Sequence, residues 1–212
     1  MAKPAVVNPA LLVVAFDPWA RSVARMVLQA ARGGAVELDG ERDSLDRLLA
    51  EATAPSLALL IASAQPPLGD VRSALEHRRV PHLTVEPDGC AVWVGPAVVP
   101  ERSGCDRCWQ ARRRQHAEAL SVAFRHDTAE AERWTDQIVL GAKAGLAVAR
   151  RVLRSPADEA GVVRRFTPDG AAPTAGRVRA VSGCLRCDRL APRSVRWSLH
   201  GRENDLEVEE PA

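Results

Sequence analysis

Residues Leu11–Gly34, LLVVAFDPWARSVARMVLQAARGG, read as a buried strand running directly into an amphipathic helix. Leu11 to Phe16 is a short, continuous apolar run, the pattern of a strand covered on both faces. Trp19, Val23, Met26, Val27 and Ala30 then recur at helical spacing. Asp17 suits the cap that precedes the helix, Pro18 its first position, and Gly33-Gly34 its end. Working outward, the same unit repeats. Val36 to Leu38 makes a second strand, and Leu45, Leu48 and Leu49 mark a helix. Pro55 leads into a strand at Leu57–Ser63. Leu68, Val71, Ala74 and Leu75 mark another helix, and Val80–Val85 another strand. Alternation of this kind predicts an α/β fold, a mostly parallel sheet flanked by helices.

Beyond Val85 the pattern changes. Pro87-Asp88-Gly89 reads as a turn and Cys90–Val94 as the hairpin partner that follows it. A basic helix is expected from Trp109 to about Val122. A longer one is expected from Ala131 to Leu153, with Trp134, Ile138, Ala142, Leu146, Ala149 and Leu153 on one stripe. The proline- and glycine-containing stretch Ala157–Arg177 reads as loop and strand, with Val162–Phe166 and Val178–Val181 its strand-like pieces. The division expected is one α/β domain over residues 1–200 and an acidic, mobile tail over 201–212.

At 212 residues the chain is long enough for one sizeable core. Its longest apolar runs, such as Leu57–Ala62, are too short to cross a bilayer. The N-terminal stretch lacks a small-residue cleavage site, so a cytoplasmic, reducing location is expected. The net charge of +2 is too mild to argue for nucleic acid. Lys3 and Lys143 are the only lysines in an alanine-rich chain, as the codon usage of a GC-rich genome would produce.

In a reducing compartment, paired cysteines are better explained as metal ligands than as disulfides. Two C-x-x-C units are present, Cys105 with Cys108 and Cys184 with Cys187, and a glycine precedes each. Each pair can wrap one face of a tetrahedral zinc ion, and together they close the site. A closed site of four thiolates leaves no position for water or substrate, which makes its role structural: it would staple the C-terminal segment to the main domain. The fifth cysteine, Cys90, reads most simply as a small buried apolar residue, with a reactive thiol as the alternative. The five histidines show no ligand spacing, and no catalytic base is assigned.

Residues Val80–Arg113 carry a strand, a turn, Val94-Gly95-Pro96, Val98-Val99-Pro100, the first cysteine pair, and then Arg112-Arg113. In these features the chain resembles the cyclodehydratase-associated proteins of thiazole/oxazole-modified peptide biosynthesis, relatives of ThiF and the ubiquitin-activating enzymes. The resemblance implies a Rossmann-like (ThiF-like) fold in which the later pair, Cys184 and Cys187, completes the zinc site. It also implies a subunit that presents a ribosomal precursor peptide to an ATP-dependent YcaO-type enzyme, the catalyst of thiazoline and oxazoline ring formation, and activates that enzyme. A homodimer is implied by the same analogy.

Two departures refine these expectations. Catalytic ThiF relatives carry a glycine-rich nucleotide loop after the first strand, whereas this chain has Ala15-Phe16-Asp17-Pro18-Trp19-Ala20. Phe16 and Trp19 are expected to stand in the way of phosphates and Pro18 has no N–H to offer, so ATP binding is not expected. Full-length members also carry a winged-helix module that grips the leader peptide, and only ten residues precede Leu11 here. Leader binding would then fall to a separate small protein. The other readings are an adenylating ThiF-type enzyme with a degenerate loop, which micromolar ATP binding would reveal, and a zinc-ribbon nucleic-acid binder. The second is motivated by Arg107, Arg112, Arg113, Arg114 and Arg125, but an aromatic content of 4% with no tyrosine offers few stacking platforms. Arg112 and Arg113 are instead the residues expected to meet an acidic partner surface or a C-terminal carboxylate.

Overall fold

The computed structural model describes residues 10–31, 35–39, 55–63, 68–105, 107–112, 130–181, 183–184 and 187. The opening stretch folds as expected into β1 (Leu11–Ala15) and α1 (Pro18–Ala31). Asp17 caps the helix, its Oδ1 accepting the Ala20 N–H at 2.9 Å. There follow β2 (Ala35–Asp39), β3 (Leu57–Ile61), α2 (Leu68–His77), β4 (His82–Asp88) and β5 (Ala91–Val94). The chain continues with α3 (Glu130–Arg154), the single turn α4 (Pro156–Glu159), β6 (Val162–Phe166) and β7 (Thr174–Arg177).

One seven-stranded sheet runs in the order β2-β1-β3-β4-β5-β6-β7. The first four strands in that order are parallel, as expected from the βα alternation. The other three pairings are antiparallel, so the sheet is mixed and only half of its ladders match the expectation of a mostly parallel one. The change of direction has a local cause. Gly89, with φ +59, opens a two-residue turn that folds β5 back on β4, and nothing helical separates the two strands.

Every side chain of β1 and β3 is buried, because the sheet is covered on both faces. On one face, Val13, Ala15, Leu59, Ile61, Val85 and Val94 meet α1 and α3. On the other, Leu12, Val14, Ala58 and Leu60 meet Val71 and Leu75 of α2. The strand expected at Val178–Val181 forms instead at Thr174–Arg177. Val178 and Val181 are used as apolar packing beside the cysteines. The helix marked by Leu45, Leu48 and Leu49, the basic stretch 113–122 and the tail 201–212 lie outside the described residues. Among the described residues no helix is long and apolar enough to cross a membrane.

Candidate metal centre

The first cysteine pair sits where the chain leaves the sheet after β5 and begins the helical segment 107–112. Its turn is tight, with the amides of Cys108 and Trp109 both donating to the Cys105 carbonyl at 3.0 and 3.2 Å. The second pair follows β7, where the Cys184 amide donates to the Val181 carbonyl at 3.0 Å. The two glycines that precede the pairs serve different purposes. A Cβ on Gly104 would lie 2.9 Å from the backbone carbon of Arg179, so glycine is what lets the two knuckles approach each other. Gly183 meets no such crowding but has φ +73, a conformation that other residues adopt only under strain.

All four sulfurs lie within 4.8 Å of one another. Cys105 Sγ is 3.7 Å from Cys108 Sγ and 3.6 Å from Cys184 Sγ, and Cys108 Sγ is 3.6 Å from Cys187 Sγ. Ligands about 2.3 Å from a tetrahedral ion stand roughly 3.8 Å apart, so the sulfur set has the dimensions of a zinc site. Cys105, Cys108 and Cys187 are buried and Cys184 half-buried, in an apolar nest with Val163, Val178 and Ala180. Sulfurs this close cannot all ionise unless a cation lies between them. Their neighbours divide them: hydrogen bonds from Cys105 and Cys187 lower the Cys108 thiol to about 4. Contacts with Cys105 and Cys108, together with burial, raise that of Cys187. The Val181 N–H also points at Cys108 Sγ at 3.2 Å, the kind of donor that supports a metal-bound thiolate. The four cysteines therefore fit a divalent ion, which would cross-link the two knuckles.

An aromatic bridge ties the centre to the sheet. Trp109, beside Cys108, meets Trp93 of β5 edge to face with ring centroids 5.7 Å apart. Asp88 Oδ2 accepts the Trp93 Nε1–H at 2.8 Å and the Arg165 Nε–H at 3.3 Å, and Arg165 lies over the Trp93 ring at 6.0 Å.

Of the partner-binding candidates, Arg112 ends the helical segment 107–112 and is exposed, whereas Arg113 lies outside the described residues. Arg112 lines a cavity of about 280 Å3 with Trp109, Val163, Gly176, Arg177, Val178 and Arg179. Sequence reasoning missed this cavity, because its walls come from segments far apart along the chain. Cys90 corrects the simplest sequence reading. It occupies the β4–β5 turn and is exposed, since the strand begins one residue later than its apolar alternation suggests. Also missed was a polar set beside α2. Glu76 Oε1 lies 4.0 Å from His82 Nε2 and Arg72 Nη2 lies 3.7 Å from Glu86 Oε1, with Arg72, Glu76 and His82 all buried.

At the C-terminal ends of β1 and β3 the strand order reverses, which in doubly wound folds is the place for a nucleotide. Here Asp17 sits there. One carboxylate oxygen caps α1, and the other accepts the Ser63 N–H at 2.6 Å. Trp19 does not stand in front of this helix end as expected from the sequence. It is 1% exposed and packs into the core, where a Cβ on Gly141 of α3 would lie 3.4 Å from its ring.

Fold and site together define a doubly wound α/β unit with an antiparallel extension that carries a four-cysteine cluster. No protein-family model and no curated protein matches the sequence. Solved structures share its fold. The heterocyclase TruD is 19% identical with a TM-score of 0.50, over 88% of this chain and 29% of that one. A heterocyclase in complex with substrate and cofactor is 14% identical with a TM-score of 0.57, over 86% of this chain and 26% of that one. E. coli MccB crystallised with MccA is 11% identical with a TM-score of 0.53, over 86% of this chain and 67% of that one. The chain thus spans less than a third of the length of the two heterocyclases.

Proposed function

We propose that this chain is a non-catalytic subunit of a cytoplasmic heterocyclisation system. It presents a ribosomal precursor peptide to a YcaO-type cyclodehydratase and activates that enzyme, while one zinc ion on Cys105, Cys108, Cys184 and Cys187 holds its C-terminal segment in place. One observation carries the reading: within a fold shared with heterocyclases, the helix end that would bind a phosphate is filled by the chain's own Asp17 carboxylate. A phosphate there would meet a fixed negative charge, and the helix amide it needs is already donated to Asp17. The adenylating alternative needs that same position. The fold likeness supports the setting, and the ATP chemistry is assigned to the partner.

The test is reconstitution. Adding the zinc-loaded chain to the cyclodehydratase and its precursor should raise the rate at which the peptide loses one water per ring, as followed by mass spectrometry. ATP–pyrophosphate exchange by the chain alone should stay at background. Unchanged partner kinetics would overturn the subunit reading, and micromolar ATP binding in calorimetry would favour the adenylating one.

A further inference from the structure

β7 is the last strand of the sheet and, among the described residues, pairs only with β6. Its hydrogen-bonding pattern follows from the Val178 N–H, which donates to the Gly161 carbonyl at 2.8 Å. In an antiparallel ladder hydrogen-bonded positions alternate, so with Val163 opposite Gly176 and Val162 opposite Arg177, residue 176 bonds inward. Ala175 and Arg177 then turn their amides and carbonyls away from β6. The Val162 carbonyl agrees, since it accepts from Ala97 on the opposite side. All four residues of β7 are exposed; the strand is short and carries one charged side chain, Arg177, but it has no proline or lysine among its residues.

Beside this edge lies the cavity of about 280 Å3. Trp109, Val163 and Val178 make its apolar wall, and the lack of a side chain on Gly176 keeps it open. Its volume, at the lower end of the range for small-molecule sites, also accommodates one or two aliphatic side chains. Among the described residues its charged lining is Arg112, Arg177 and Arg179. Arg177 is held in place, donating to the Ala160 and Asp158 carbonyls at 2.6 and 2.7 Å, both of them neutral acceptors.

We infer that the outward edge of β7 binds an acidic peptide as an added strand, with an apolar side chain in the Trp109–Val163–Val178 cavity and carboxylates against Arg177 and Arg179. Open backbone groups supply affinity and the alternation of apolar and acidic positions supplies selectivity. Identifying this peptide as part of the precursor rests on the function proposed above; the binding edge itself does not.

The probe is a fluorescein-labelled heptapeptide alternating glutamate and valine, titrated against the zinc-loaded full chain by anisotropy. A peptide with lysine in place of glutamate serves as control. The acidic peptide should bind and the basic one should not. Ala175→Pro removes one outward donor without breaking a β6–β7 bond, and Arg179→Glu reverses one rim charge. Each should raise Kd by about tenfold while melting temperature and zinc content stay those of the wild type. Equal binding of both peptides, unchanged affinity in Ala175→Pro, or displacement of the probe by a single-stranded dT oligonucleotide would overturn the proposal. Acceleration of the partner enzyme without peptide binding would sink the edge and spare the subunit reading. Peptide binding without acceleration would do the reverse.

Discussion

Gly104 shows how much of the centre depends on one missing side chain. Gly104→Ala forces a methyl group to within 2.9 Å of the Arg179 backbone, which must shift and carry the second knuckle with it. We expect a loss of about 2 kcal/mol in urea unfolding and a faster release of zinc to a chromogenic chelator. Unchanged release would mean that the knuckles adapt to each other freely. The cysteines themselves were legible in the sequence because C-x-x-C spacing is a local signal of a turn that aims two sulfurs at one point. The reason for Gly104 was not, since the group it must avoid lies near position 179. The same holds for Asp17: its capping role could be read from its neighbours, but its bond to Ser63 depends on where β3 ends.

Among the elements, α3, α4 and β6 meet at Glu159. This carboxylate is buried, accepts from Arg164 at 2.5 Å and from Arg151 at 2.8 Å, and so joins a strand to two helices. Burial acts to raise its pKa, and the hydrogen bonds and charges of Arg164 and Arg151 outweigh that and hold it below 4.5. A carboxyl lowered by folding stabilises the native state fully above its unfolded value, and that contribution fades as pH falls through the folded one. Glu159→Gln should therefore lower the melting temperature at neutral pH. The gap from the wild type should narrow once pH drops below 4.5, and a gap independent of pH would refute the pairing. Long amphipathic elements were the easiest to read. The expected helix Ala131–Leu153 is observed at Glu130–Arg154, because Ala142, Leu146 and Ala149 of its stripe pack against α1 and the sheet, whereas Trp134 and Leu153 at the two ends of that stripe are exposed. β7 escaped notice because Thr-Ala-Gly-Arg has no apolar alternation, as befits a strand with little to bury.

For the whole molecule, the parallel half of the sheet follows from repeated strand and helix, while the antiparallel half depends on a hairpin and on returns that periodicity does not encode. β6 and β7 add an edge beyond the doubly wound part, and the four sulfurs join that edge to the chain leaving β5. Chelation should accordingly lower the melting temperature, by roughly 10 °C or more, and should expose Trp93 and Trp109 to a fluorescence quencher. Loss of metal without either change would show that the sheet holds its edge unaided. The distance along the chain between the two sulfur pairs also has a bearing on biosynthesis. A ribosome releases Cys105 and Cys108 well before Cys184 and Cys187, and the first pair alone provides only half of a coordination sphere. With a metal bound as proposed, tight uptake would require that translation has passed the second pair, and a truncated product would be left open to proteolysis at an unlocked flank.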